Sequence, residues 1–176
     1  GQWLLSGLLL NGWQRIQRVP GNSLPSFGTQ IQYKPTSRVT LNSSTFVGTD
    51  KPDAARQMRY FHNLYGIFQL NNHWEATLGL DTGWEQTRPE SSDFNTWYTP
   101  VAIVRYAPNS RWAVAARGEY YRDANGVIVA SGTPNGFEVL GLSLNVDYAV
   151  LPNALLRVEG RWLGSTGDDI FTNNNG

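Results

Sequence analysis

Apolar and polar residues alternate with a period of two along almost the whole chain. The pattern is clearest over 138–150. There Glu138, Leu140, Leu142, Leu144, Val146, Tyr148 and Val150 share one face, and Val139, Gly141, Ser143, Asn145, Asp147 and Ala149 share the other. The first row is almost purely apolar and the second is small or polar, as expected of a strand with different surroundings on its two sides. Over 154–163, Leu156, Val158, Gly160 and Trp162 oppose Arg157, Glu159 and Arg161. Over 112–121, Trp112, Val114, Ala116, Gly118 and Tyr120 oppose Arg117, Glu119 and Tyr121. Over 74–85, Trp74, Ala76, Leu78, Leu80, Thr82 and Trp84 oppose Glu75, Thr77, Asp81 and Glu85. Helical periodicity is hard to find.

The alternation predicts nine strands, at about 3–16, 25–34, 38–48, 59–70, 73–86, 95–106, 110–123, 137–150 and 154–164. The first is ambiguous in register, because both of its faces carry leucines. Connections alternate in length. Tight turns fall at Lys34-Pro35-Thr36-Ser37, Asn71-Asn72, Pro108-Asn109 and Pro152-Asn153, and long polar loops at 17–24, 49–58, 87–94 and 124–136. A tyrosine (Tyr33, Tyr106, Tyr148) precedes three of the tight turns. The chain thus repeats one architectural unit of strand, long loop, strand and tight turn.

Strand length and mid-strand charge separate a membrane barrel from a soluble one. The predicted strands run ten to fourteen residues, against about five or six in ordinary sheets, and a tilted strand needs about nine to eleven to cross the hydrocarbon of a bilayer. Asp81, Arg105, Arg117, Glu119, Asp147, Arg157, Glu159 and Arg161 sit in mid-strand on one face only. A dry core accommodates such charges only at high cost, whereas a wet lumen accepts them. The apolar row then faces lipid, where every backbone group must be paired and only a closed barrel has no edge. Leu78, Leu80, Val114, Leu140, Leu142, Leu144, Val146 and Val158 are the expected lipid-facing residues. Two aromatic girdles are expected to flank them: Trp74, Tyr106, Trp112 and Tyr148 by the tight turns, and Tyr60, Trp84, Trp97, Tyr98, Tyr120 and Trp162 by the long loops. Short turns on one side and long loops on the other match periplasmic and extracellular faces. A soluble, ligand-binding barrel would show the same alternation turned inside out; charges of both signs in one row and the paired girdles favour the membrane reading.

Composition narrows the function classes. The 176 residues include 14 basic and 14 acidic side chains, a formal net charge of zero, which argues against a nucleic-acid partner. The 40% hydrophobic and 12% aromatic content is too high for a disordered chain. There is no cysteine, hence no disulfide framework and no thiolate metal site. No apolar run is long enough for a membrane-spanning helix. The most apolar run, Leu4-Leu5-Ser6-Gly7-Leu8-Leu9-Leu10, has neither a preceding Lys or Arg nor a following small-x-small cleavage site, so it reads as a strand and not as a signal peptide.

Several stretches, Leu10-Asn11-Gly12-Trp13-Gln14-Arg15-Ile16-Gln17, Thr40-Leu41-Asn42-Ser43-Ser44-Thr45-Phe46 with Gly48-Thr49-Asp50-Lys51-Pro52, Met58-Arg59-Tyr60-Phe61-His62, and Asn153-Ala154-Leu155-Leu156-Arg157-Val158-Glu159-Gly160-Arg161, resemble the OmpL-like putative β-barrel porin family of Bacteroidota. Asn125-Gly126-Val127-Ile128 and Gly132-Thr133-Pro134-Asn135-Gly136-Phe137 are similar to it as well. These motifs mark turns and loops and carry no catalytic residue, so the resemblance implies a fold and an outer-membrane location. A member would be expected to close on a strand ending in an aromatic residue; here the last residues, Asn173-Asn174-Asn175-Gly176, read as a loop. Single-chain bacterial barrels have even strand numbers. At least one further strand is therefore expected after 164, with others before the first. The expectation is one all-β domain over 1–176: an antiparallel up-and-down transmembrane barrel, incomplete in this chain.

The expected lumen charges are Arg38, Arg105, Arg117, Arg157 and Arg161 against Glu75, Asp81, Glu85, Glu119, Asp147 and Glu159. This mixed set implies no strong ion selectivity. Arg117, Glu119, Arg157, Glu159 and Arg161, on two strands separated by one neighbour, form either a constriction with a transverse field or a set of wall-stiffening salt bridges. Of the two histidines, His62 and His73, only His62 lies near the outer rim, where Ser43 or Ser44 can neighbour it; a girdle or lumen role is expected in preference to catalysis. Asp123-Ala124-Asn125-Gly126 and Gly167-Asp168-Asp169 are acidic loop pieces without calcium-loop spacing. The expected function is passive diffusion of small polar solutes, with no enzymatic activity, cofactor or metal. Outer-membrane lipid and solute are the expected partners, with other envelope proteins or a homo-oligomer as further candidates. The alternative is a structural or accessory barrel that acts through its long loops.

Overall fold

The long alternating segments form strands that each pair with the next. A computed structural model describes residues 1–168, 170 and 171. The strands are β1 (Trp3–Leu10), β2 (Ser26–Thr36), β3 (Val39–Gly48), β4 (Arg59–Gln69), β5 (Trp74–Gln86), β6 (Phe94–Tyr106), β7 (Trp112–Asp123), β8 (Phe137–Leu151) and β9 (Ala154–Ser165). They make one nine-stranded sheet in sequence order, with every pairing antiparallel. A 3-10 turn at Asp53–Ala55 is the only helical element among the described residues. β1 and β9 are not paired with each other, so the sheet is open: the wall of an up-and-down barrel, not a closed ring. The residues after 171, which read as a loop, lie outside the described ones.

One element departs from expectation. The first strand is predicted to run to residue 16 but ends at Leu10. Past that point Gly12 (φ 135°) and Gln14 (φ 53°) have left-handed backbone, which a regular strand does not accommodate. The chain turns out of the sheet there, and the first long connection spans 11–25.

The two faces are packed differently. Ser26, Asn42, Arg59, Glu85, Asp123 and Asp147 on the polar face are buried, while Leu78, Leu142, Leu144 and Val158 on the apolar face are 49–67% exposed. Large side chains exposed on one side and small or polar ones covered on the other mark a sheet curled around its polar face. The register of β1 is resolved as well: Trp3, Leu5, Gly7 and Leu9 continue the apolar face, because Trp3 pairs with Tyr33 and Leu9 with Phe27.

The tight-turn edge of the apolar face carries cross-strand aromatic pairs. Trp3 stacks on Tyr33 at 4.1 Å between ring centroids, Trp74 meets Tyr106 at 4.6 Å, and Trp112 meets Tyr148 at 4.5 Å. Such pairs add about 0.5–1.5 kcal/mol each beyond their burial. Each joins two strands whose connection is a long loop at the opposite end, so the aromatics pin the free ends of these hairpins.

Candidate functional site

The polar face is organised in tiers that follow from the register. Nearest the tight turns, Asp147 on β8 faces Arg157 on β9. Arg157 donates to it through Nε at 2.6 Å and Nη2 at 2.8 Å, and Asn145 Nδ2 adds a third bond at 3.0 Å. Glu75 pairs in register with Arg105 across β5 and β6; together with Arg157 and Glu159 they line one cavity. The next tier joins β7 to β9 over the small residues of β8: Glu119 accepts from both Arg117 and Arg161. Level with Glu119 and one step above it in register, the wall from β2 to β5 is amide-rich. Gln30 donates to Asn42 at 2.9 Å, Asn42 to Ser44 at 2.9 Å, and Asn63 to Asp81 at 2.6 Å.

Then comes a tier that alternation alone does not reveal. Phe46, Phe61, Gly83, Trp97, Asp123 and Phe137 follow one another across β3 to β8 in register, giving an aromatic collar on the polar face near the long loops. Trp97 corrects an expectation: it belongs to this collar and not to the girdle. Its cross-strand partner is Gly83, where a Cβ would collide with the indole, so the missing side chain on β5 makes room for the ring, which is 3% exposed. Above the collar sits a buried ion pair that the sequence reading missed. Arg59 Nη2 lies 2.5 Å from Glu85, Arg59 Nη1 lies 3.2 Å from Asp50, and the guanidinium stands 5.8 Å from the Trp97 ring.

The remaining predicted positions are placed as follows. Glu75, Asp81, Glu85, Arg105, Arg117, Glu119, Asp147, Arg157, Glu159 and Arg161 all share the polar face. Arg38 does not. It lies in the exposed turn between β2 and β3, with its N–H donating to Thr36 Oγ1 at 3.2 Å, because β3 starts one residue later than expected. Leu78, Leu80, Val114, Leu140, Leu142, Leu144, Val146 and Val158 share the apolar face with Tyr60, Trp74, Trp84, Tyr98, Tyr106, Trp112, Tyr120, Tyr148 and Trp162. Asp123 and Arg59, unassigned from sequence, join the polar face.

The histidine expectation has a geometric outcome. His62 Nε2 lies 2.8 Å from Ser43 Oγ, but the pair stands on the apolar face, where Thr45 pairs with His62 and Ser43 with Leu64. Among the described residues no carboxylate hydrogen-bonds the ring, so a Ser-His-acid arrangement is not assembled there. The acidic loop pieces are occupied by backbone. Asp123 accepts the N–H groups of Val127, Ile128 and Val129 at 2.9, 2.7 and 3.0 Å, and Asp168 accepts from Asn135 N at 2.9 Å and Nδ2 at 3.1 Å. Asp169 lies outside the described residues.

The long loops bind one another over this end of the sheet. Asn22 Nδ2 donates to Thr49 O at 2.9 Å and Asp53 N to Gly21 O at 2.9 Å, while Met58 N donates to Gln86 Oε1 at the end of β5 at 2.8 Å. The 11–25 loop also folds over the polar face, where Trp13 packs edge-on against Phe61 at 4.6 Å and Phe46 at 5.1 Å.

A nine-stranded antiparallel wall with one apolar face edged by aromatics and one polar, charged face defines the class of up-and-down β-barrels. The family comparison agrees. The chain belongs to the family described as putative beta-barrel porin-2, OmpL-like, whose model matches residues 1–176. No curated protein and no solved structure matches the chain.

Proposed function

We propose that this chain forms the wall of an outer-membrane channel through which small polar solutes diffuse passively with weak selectivity. The observation that carries the reading is the division of the sheet. Amides, hydroxyls and charges of both signs line one face, from Gln30 and Asn42 to Arg157 and Glu159, while the other carries leucines, valines and paired aromatics. Charged side chains on the inside of a barrel are stable against water or an opposite charge, and those of the lower tiers, such as Arg157 and Arg161, are more than half exposed; a water-filled barrel conducts. The apolar face is then the lipid contact, with Trp74–Tyr106 and Trp112–Tyr148 at one interface. Family membership supports the same reading.

The test is planar-bilayer recording of the purified full-length protein. Stepwise conductance is the expected result, and its absence overturns the channel reading. One observation favours a second reading, an accessory barrel that captures a partner through its loops: the 11–25 and 49–58 loops are tied to each other, and the 49–58 loop to Gln86 at the root of the 87–93 loop, as a structured docking surface requires. Deletion of the 87–93 loop that abolishes partner capture and leaves permeability intact would favour it.

A further inference from the structure

Two long loops from distant parts of the sheet meet over the polar face. Val127 and Ile128, from the loop between β7 and β8, line the same cavity as Trp13, Gln14 and Arg15 from the loop after β1, with Asp50, Lys51 and Arg59 at its side. Both loops are held there. Trp13 is seated on the collar phenylalanines, and its N–H donates to Asp50 Oδ1 at 3.0 Å. Arg15 Nε lies 3.3 Å from the same oxygen. A Cβ at Gly12 would collide with that carboxylate, so the close approach of the strap to Asp50 depends on glycine. The other loop is drawn in by the three N–H groups that Asp123 accepts.

The charges at this meeting point are not equivalent to a passing solute. The carboxylates are turned inward: the Asp50 side chain is 11% exposed and that of Glu85 10%, both engaged by Arg59, itself 9% exposed. The Arg15 side chain is 46% exposed, and Lys51 lines the cavity with no acidic partner within salt-bridge distance among the described residues. The 124–136 loop carries no charged residue. Water and solute therefore meet a cationic surface backed by sequestered anions.

We propose that the 11–25 and 124–136 loops form an inward-folded aperture whose cations, the exposed Arg15 and the half-buried Lys51, admit small anionic solutes (carboxylates or phosphates) in preference to cations. This inference rests on the channel reading and deepens it: the tiers below, with Arg105, Arg117, Arg157 and Arg161 against Glu75, Asp81, Glu119, Asp147 and Glu159, hold no cationic excess, and the aperture supplies the sign.

Two measurements on the full-length protein test it. The chain has no cysteine, so Arg15→Cys with Ile128→Cys introduces the only thiols in these residues. A short bis-maleimide is expected to link them intramolecularly in the folded barrel. In a KCl gradient across a planar bilayer, the parent is expected to show an anion-preferring reversal potential. Arg15→Gln with Lys51→Gln should lower the anion-to-cation permeability ratio roughly fivefold, as expected for the loss of about 1 kcal/mol of attraction. Trp13→Ala should raise the conductance by unseating the strap. Failure to link the two loops in a folded barrel overturns the aperture. Conductance with a reversal potential unmoved by the double substitution overturns the selection and leaves the channel standing. A parent that never conducts overturns both.

Discussion

Arg157 reaches from β9 and holds both carboxylate oxygens of Asp147 on β8, 2.6 and 2.8 Å away. The geometry is bidentate, yet the Arg157 side chain is 55% exposed, so water screens most of the attraction. Asp147→Asn is therefore expected to leave the urea midpoint of the folded barrel within about 1 kcal/mol of the parent. Arg157→Lys, which keeps the charge and loses the fork, should behave likewise. A large loss of stability in either would mean that this tier is drier than its exposure implies.

The opposite holds for Arg59. Its guanidinium is buried between Glu85 and Asp50, and removing it strands two carboxylates with little access to water. Arg59→Ala is expected to cost about 3–5 kcal/mol, read as a lower unfolding midpoint, with Arg59→Lys between it and the parent. The pair is thus a structural keystone above the collar. A neutral outcome would show that water reaches this tier freely.

The two faces of β8 give a direct test of which side meets lipid. Leu142 is 49% exposed on the apolar face, and its neighbour Ser143 points to the other. Leu142→Arg is expected to oppose membrane insertion by about 2–4 kcal/mol if the residue lies near the bilayer midplane, and Val158→Arg should do the same. Ser143→Arg should insert normally. Folding yields into lipid vesicles measure the contrast, and equal tolerance on both faces would reverse inside and outside.

Strand existence and facing are legible in this sequence because a lipid-facing row must be apolar and a water-facing row need not be, which imprints period two over each long strand. What alternation cannot carry is apolar residues on the wet side. Phe46, Phe61 and Trp97 obey the period but break the polarity rule, and Trp97 near a strand end reads naturally as a girdle residue. Only the pairing register, which sets Gly83 opposite its ring, places it in the collar. The end of β1 was hidden for a different reason: leucines on both of its faces leave no alternation whose end could be seen, and the left-handed backbone at Gln14 has no strong sequence signal. Arg59 stands at the very start of its strand, where a charge looks solvent-exposed; its burial comes from Glu85 and from the loop residue Asp50, contacts distant in sequence.

The tie between the 124–136 loop and the segment after β9 has a defined pH response. The Asp168 carboxylate accepts the Asn135 backbone N–H and its side-chain amide, which together hold its pKa below the ordinary carboxylate value. A depressed pKa means the tie is complete above the unfolded value of about 3.9 and is lost only as pH falls through the lower folded value. The Asn135 amide resonance should therefore be stationary from neutral pH down to about 4 and shift only below that. In Asp168→Asn this transition should disappear. A shift centred well above pH 4 in the parent would show that the contact is not made in solution.

Asp123 decides the path of the same loop from its other end. It is fully buried and satisfies three consecutive N–H groups, those of Val127, Ile128 and Val129. The chain returns at Gly136, whose left-handed backbone (φ 75°) and close approach to Asp123 O exclude a side chain. Asp123→Ala leaves three amides without their acceptor, at a cost of about 1–3 kcal/mol for each that stays buried. The loop can avoid that cost by swinging out to water. The expected outcome is thus local: elastase, which cuts beside small apolar residues such as Val127, Val129 and Ala130, should nick the variant within 124–136 while the parent resists. The melting temperature of the strands should move little, because none of the three freed amides belongs to a strand. Asp123→Asn, which keeps a carbonyl acceptor, should be nicked at an intermediate rate. Equal resistance in all three would mean that the loop is held by its apolar contacts and that the carboxylate is dispensable.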